Sequence, residues 1–240
     1  RDIYGRQALV ELIRMILERT DVDWLRLHYL YPGSIPEDLL ELIKDEERVC
    51  TYIDLPVQHI SDNILSAMKR GHSEKDIRIL LDHIRGLLPE AAIRTTLITG
   101  YPGETESDFR KLLDFVHEYR FERLGVFTYS HEEDTPGHAR FKDRIPQDVK
   151  VHRADAIMTV QQAIAAELNH GKIGRTCKVL LDGEEGGYYV GRTEHDSPEV
   201  DQEVIIKKSR EDMQTGRFYR VNITGASEFD LLGEPSSDPE

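Results

Sequence analysis

Arg94-Thr-Thr-Leu-Ile-Thr-Gly-Tyr-Pro-Gly-Glu-Thr-Glu-Ser-Asp-Phe109 is the stretch on which the fold turns. Leu97 and Ile98 sit in a short apolar run of strand length, and Gly100-Tyr-Pro-Gly103 breaks it, so a buried strand should pass through a turn into a helix. Thr105 and Asp108 have capping-box spacing, and the acidic Glu106 and Asp108 suit the positive end of a helix dipole. In parallel α/β proteins, ligands meet the chain where strands end and helices begin. The turn is therefore a candidate small-molecule site, with Gly100 allowing close approach to the backbone. A well-made turn without a ligand is the equal alternative.

Working outward, residues 7–20 carry Leu9, Leu12, Ile13, Ile16 and Leu17 on one helical face. Residues 24–31 read as a strand closed by Pro32-Gly33, and Ser34 with Glu37 has capping-box spacing for the next helix. A strand over 49–57, a helix over 61–69 and a longer helix capped by Ser73 and Asp76 follow. The strand at about 93–99, a helix over 108–119 and a strand over 124–130 complete the series. The four strands recur at about 30 to 40 residues, close to one βα unit of a barrel. Four units cannot close one. The expected fold class is thus α/β, a partial (β/α) barrel of four parallel strands over 1–145. A linking helix spans 146–171, and short β-rich runs over 172–235 read as a small antiparallel barrel. Residues 236–240 read as a frayed tail.

Two hundred and forty residues suffice for one large domain, or for a medium and a small one. The formal net charge is −14. No run approaches the roughly 18 apolar residues of a membrane span, and no signal-peptide layout opens the chain, so a soluble cytoplasmic protein is expected. Cys50 and Cys177 fall in separate predicted strands, without disulfide or metal-ligand spacing, and read as buried reduced thiols.

Three blocks carry a family resemblance: DLPVQH at 54–59, RTTLITGYPGETESDF at 94–109 and FTYSHEEDTPGHA at 127–139. With DIYGR at 2–6 and GRTEHDSPEVD at 191–201, the chain resembles the radical S-adenosylmethionine methylthiotransferases over essentially its whole length. It is most similar to the branch that modifies an aspartate of a small-subunit ribosomal protein. The resemblance implies a radical SAM barrel followed by a TRAM domain, a small β-barrel of oligonucleotide-binding type. It implies S-adenosyl-L-methionine and two 4Fe-4S clusters as cofactors of the intact enzyme. One cluster rests on a CxxxCxxC loop whose open iron chelates S-adenosylmethionine, and the other on three cysteines of a preceding domain. This chain has neither set. DIYGR matches a segment that follows the second barrel strand in the family, so an N-terminal truncation is expected, and a piece that does not catalyse alone. No catalytic residue or metal ligand is assigned here.

The family implies cofactor-facing roles for Gln58, His59, Arg94, Thr95, Thr99, Gly100, Phe127 and Tyr129. Gln58 and His59 end a predicted strand, where an amide can meet ribose hydroxyls and an imidazole can donate or accept. A strand-end histidine by itself is more often structural. Arg94 is either a surface charge or a buried guanidinium needing a carboxylate, for which the methionyl carboxylate is one candidate. Phe127 either packs on adenine or belongs to the core.

Charge bears on the substrate. From His170 to Glu240 there are nine Lys and Arg against fifteen Asp and Glu, a balance of −6. A barrel that grips RNA should be basic, because each phosphate contact needs a cation. The acidic TRAM barrel thus fits a basic small-subunit ribosomal protein as partner better than RNA, although Lys207, Lys208 and Arg210 form a local basic stripe. A tRNA adenosine methylthiotransferase of the same family and a non-catalytic ribosome- or RNA-binding adaptor are the alternatives.

Overall fold

The computed structural model describes residues 5–208 and 212–236. Residues 2–4 of DIYGR, Arg210 of the basic stripe and 237–240 of the expected tail lie outside them. Helix α1 (Leu9–Arg19) buries Val10, Ile13 and Leu17 on one face. A 3-10 turn (Pro32–Ser34) leads to α2 (Glu37–Asp45). The expected Ser34 cap is not made. Ser34 closes the 3-10 turn through its N–H to Tyr31 O, and Pro36 takes the N-cap position. Then come β1 (Tyr52–Asp54), α3 (Asp62–Ala67), α4 (Glu74–Leu87), β2 (Ala92–Thr99), α5 (Glu106–Tyr119) and β3 (Arg123–Thr128). Both remaining capping boxes, Ser73 with Asp76 and Thr105 with Asp108, are complete.

The three strands form a parallel sheet in the order β1-β2-β3. The fourth expected strand, over 24–31, lies beside β1 but is no ladder strand. It makes one parallel bridge, Leu25 with Val49, and a hydrogen bond from Leu30 N to Asp54 O at 2.8 Å. The break is at Tyr29. Its N–H is drawn to the Asp54 carboxylate at 3.0 Å, and its φ of 57° ends the extended run. Pro56, lacking an N–H, likewise shortens β1, and the chain rejoins the sheet where Gln58 bridges Leu97.

Parity divides the sheet. Ile53, Ile93 and Leu97 point to the helices and join one core with Leu40, Leu81, Leu112, Phe115 and Ile157. The opposite face carries Asp54, Arg94, Thr96 and Ile98, with Arg123, Gly125 and Phe127 beside them in register. Thr96 and Ile98 are only half-buried and Phe127 is 63% exposed. The strand expected to be buried is thus buried on one face, because so few strands cannot curl until opposite walls meet.

After the short α6 (Pro136–Arg140), α7 (Gln147–His170) lays Lys150, Arg153, Ile157, Gln161 and Ile164 along one buried stripe at helical spacing. It leads into β4 (Thr176–Glu185), β5 (Tyr188–Arg192), β6 (Val204–Lys207), β7 (Phe218–Ala226) and β8 (Leu231–Pro235), a closed barrel in the order β4-β5-β6-β8-β7. Its interior holds Val179, Leu181, Val204, Ile206, Val221, Ile223 and Leu231. The wholly antiparallel expectation needs correction: β6 and β8 pair in parallel. A ring with an odd number of strands cannot alternate direction throughout, so one neighbouring pair must run the same way. The interior is tight enough that a Cβ on Gly233 would meet Val221 Cγ1 at 2.4 Å. Among the described residues no helix is long and apolar enough to cross a membrane.

Candidate functional site

At the C-terminal ends of the strands, the β2–α5 turn is organised around Glu104. Its carboxylate is fully buried and accepts from Gly100 N at 2.6 Å and from an Arg153 guanidinium nitrogen at 2.6 Å. His59 is equally buried. Its Nδ1 accepts from Ser61 N at 2.9 Å, and its Nε2 faces Glu104 at 3.7 Å, too far for a hydrogen bond. A buried carboxylate is tolerable only when donors surround it, and here a turn amide and a helix α7 guanidinium do so. Lys150, one helical turn before Arg153, crosses the same turn. Its Nζ donates to Tyr129 O at 3.1 Å and pairs with Asp143, and its backbone O accepts from Thr99 Oγ1 at 3.1 Å.

The eight expected site residues do not share one hollow. Thr95 is buried and donates to Leu55 O at 2.9 Å, tying β2 to the end of β1. Gly100 does have the left-handed φ, 75°, that favours glycine, but the close approach it permits is internal. A Cβ there would meet Lys150 Cγ at 2.2 Å. Thr99, Gly100 and Tyr129 thus gather around Lys150, and His59 around Glu104. Tyr129 is half-buried, with its ring edge-on to Tyr101 at 4.9 Å and its hydroxyl 3.1 Å from His131 Nδ1. Burial, with Tyr101 beside it, raises its phenol above the ordinary value. Gln58 is half-buried at φ 68°, where the chain rejoins β2. Only Phe127 projects freely, next to Ile98 on the open face.

Arg94 belongs to the other end. It is the third residue of β2, about 13 Å along the strand from Ile98 at roughly 3.3 Å per residue. Its guanidinium does have carboxylate partners, as a buried one must, but both are the protein's own: Asp54 at 3.4 Å and Asp201 at 3.4 Å. Burial alone would lower its pKa. Tyr52, Asp201 and Asp54 outweigh that and hold it above the usual value. Asp201 comes from the β5–β6 loop, which inserts GRTEHDSPEVD against the sheet. Tyr52 Oη donates to Asp201 at 2.7 Å, Thr51 N to Glu194 at 3.0 Å, and Arg123 pairs with Asp196. Arg26 donates to the carbonyls of Thr193 and Glu194.

Neither Glu104, Lys150 and Arg153 nor the docking pair Asp196 and Asp201 figured among the expected site residues. Glu104 was marked only by its place after Gly103, and the loop aspartates by their density in a motif read for its resemblance alone. Among the described residues, no three His, Cys, Asp or Glu gather as a metal site. Cys50 and Cys177 are both free, and Cys177 is half-buried rather than buried. Burial raises the Cys50 thiol to about 11 and raises that of Cys177 as well, so neither ionises readily. The residues present do not fit an iron–sulfur cluster. They do fit an adenosyl group, because Phe127 and Ile98 leave an uncovered apolar ledge at the rim.

A parallel sheet backed by helices, followed by a closed five-stranded barrel, defines a radical SAM partial barrel with a TRAM-type barrel behind it. Residues 4–116 match the Radical SAM superfamily and residues 173–235 the TRAM domain. The solved structure of coproporphyrinogen III oxidase (HemN) from Escherichia coli, a radical SAM enzyme, shares the fold with TM-score 0.55 at 16% identity, covering 78% of this chain and 51% of that one. Along nearly its whole length the chain is similar to curated methylthiotransferases. It is 49% identical to the ribosomal protein uS12 methylthiotransferase RimO of Bacteroides thetaiotaomicron over 97% of this chain and 53% of that protein. The namesake of Christiangramia forsetii is 48% identical over 98% of this chain and 52% of its own length. The chain spans about half the length of the curated relatives it matches.

Proposed function

We propose that the protein to which this chain contributes is a cytoplasmic radical SAM enzyme that methylthiolates the β-carbon of an aspartate in ribosomal protein uS12. Residues 1–145 would form its partial barrel, 146–171 the linking helix and 172–235 the TRAM barrel. S-adenosylmethionine, used with two 4Fe-4S clusters, supplies the means of removing hydrogen from an unactivated carbon. The part played by this chain is to bind and orient. Phe127 and Ile98 take the adenine against the open face, and Gln58 at the same rim meets the ribose. Glu104, Arg153 and Lys150 hold the turn and strand ends that carry them, while His59, Thr95, Thr99 and Gly100 belong to that frame. Tyr129 positions Lys150. Arg94 secures the docked loop and does not meet the methionyl carboxylate. An acidic second barrel would meet a basic substrate protein.

The observation that carries this reading is identity near one residue in two, continuous through both barrels, to proteins named for that activity. The test joins this chain to the N-terminal half of the Bacteroides relative, reconstituted without oxygen with iron, sulfide and S-adenosylmethionine. Mass spectrometry should show one methylthio group replacing one hydrogen on a uS12 loop peptide, and none on tRNA. Modification of tRNA alone would refute it. Phe127→Ala should weaken S-adenosylmethionine binding about tenfold, the loss expected for one stacking contact of roughly 1 to 3 kcal/mol.

A further inference from the structure

Beyond the rim lies a cleft that the chemistry does not use, at the N-terminal end of β3, of about 290 Å³. Its walls are the β3 edge, α7, the β5–β6 loop and the β7–β8 turn. Gln161 and Gln202 line it, both more than nine-tenths buried. Neither side-chain amide atom of Gln202 has a hydrogen-bond partner, so exchanging its O and N changes nothing. Gln161 donates to Phe121 O at 2.8 Å, which fixes its free atom as the carbonyl oxygen. Buried amides left without partners are costly, and both belong to residues lining one cleft, where a small turn of each side chain would let a ligand's donors and acceptor complete them.

The mouth carries a different chemistry. Phe229 and Val200 are 58% and 60% exposed there, an apolar lip beside Glu228 and Asp230. Glu228 has no ion pair among the described residues. Glu203, whose N–H bonds Asp230, has its pKa raised by burial and then by Asp230, Glu185 and Asp182, so the negative field extends past the mouth. Arg94 and Arg123 also line the cleft, each paired with the protein's own carboxylates, so at the mouth Glu228 and Asp230 favour a cation over the aromatic face.

We propose that this cleft docks an extended basic protein segment. Its backbone amide groups pair with Gln202 and Gln161, and a lysine or arginine lies across Phe229 between Glu228 and Asp230. The proposal rests on the reading that the substrate is a basic protein, and places its second foothold at the end of the sheet opposite the cofactor rim.

The test titrates the full chain, by fluorescence anisotropy, with labelled overlapping peptides that tile uS12, and with a single-stranded RNA of matching length. At least one basic peptide should bind. The Glu228→Lys/Asp230→Lys double substitution and Phe229→Ala should each weaken it about tenfold or more, as removal of a hot-spot residue does. Gln202→Leu separates binding from folding. It removes an unsatisfied amide, so the protein should melt no lower than the parent while losing peptide affinity. Peptides that bind parent and variants equally, or no peptide binding at all, would overturn the cleft while leaving the activity assay to decide the enzyme. RNA binding that the same substitutions abolish would overturn the choice of a protein partner.

Discussion

The two ends of the parallel sheet are each closed by a buried carboxylate against a guanidinium, yet the two pairs do different things. At the C-terminal end, Glu104 meets Arg153 and also holds the Gly100 amide, so α7 is bound to the β2–α5 turn. At the N-terminal end, Asp196 meets Arg123 from a loop of the second barrel. The first pair shapes a turn from within. The second joins two barrels that each have a core of their own. A sheet too short to close leaves both mouths open, and charged pairs from outside it cover what closure would otherwise have covered.

Removing Glu104 should be the harsher break. Glu104→Ala leaves a nearly fully buried guanidinium with only the exposed Glu106 at 3.6 Å and frees the Gly100 amide, a loss of about 3 kcal/mol. In urea unfolding, the midpoint of the sheet-and-helix portion should drop steeply. A loss below about 1 kcal/mol would show that Arg153 finds water and that the pair does not hold the turn.

Asp196→Ala should act more mildly and at a different place. Arg123 still donates to Glu122 O at 2.6 Å once Asp196 is gone, and the expected loss is about 1 to 3 kcal/mol. Hydrogen exchange should rise in the β5–β6 loop and at the starts of β2 and β3, while the interior of the second barrel stays protected. Faster exchange through Val179 and Ile206 would mean instead that the loop supports its own barrel.

How legible these features are in the sequence follows the same division. The capping boxes at Ser73 and Thr105 were readable because three residues of spacing contain the whole interaction. The helical face of α1 was readable in part, because apolar periodicity is local: Ile13 and Leu17 are buried, but the expected Leu12 is exposed and Val10 is buried instead. Tyr29 was not readable, since its left-handed φ answers to Asp54, twenty-five residues away. Arg94 showed its need for a carboxylate but not which one, because Asp201 reaches it only once the second barrel is in place. Gly100 was read as a point where a ligand comes close to the backbone. What approaches is Lys150, a residue on a helix whose path across the turn no local pattern encodes.

The smallest expected effect isolates a cap from both closures. Asp108 accepts from Ser61 Oγ at 2.5 Å and from Thr105 N at 2.9 Å and Oγ1 at 2.6 Å. Burial by itself would raise its pKa, but the bonds from Ser61 and Thr105 outweigh that and hold the carboxyl below the ordinary value. A carboxyl whose pKa is lower in the folded state binds its proton more readily once unfolded. Its contribution is therefore complete above the unfolded value, near pH 4, and drains away as pH falls through the lower, folded one. Asp108→Asn should cost about 1 kcal/mol at neutral pH, as loss of a helix cap does. The difference between parent and variant should then shrink below pH 4. Urea midpoints for the two proteins between pH 3 and pH 7 would show this. A gap that stays constant to pH 3 would mean that the cap works by geometry alone, with no contribution from its charge.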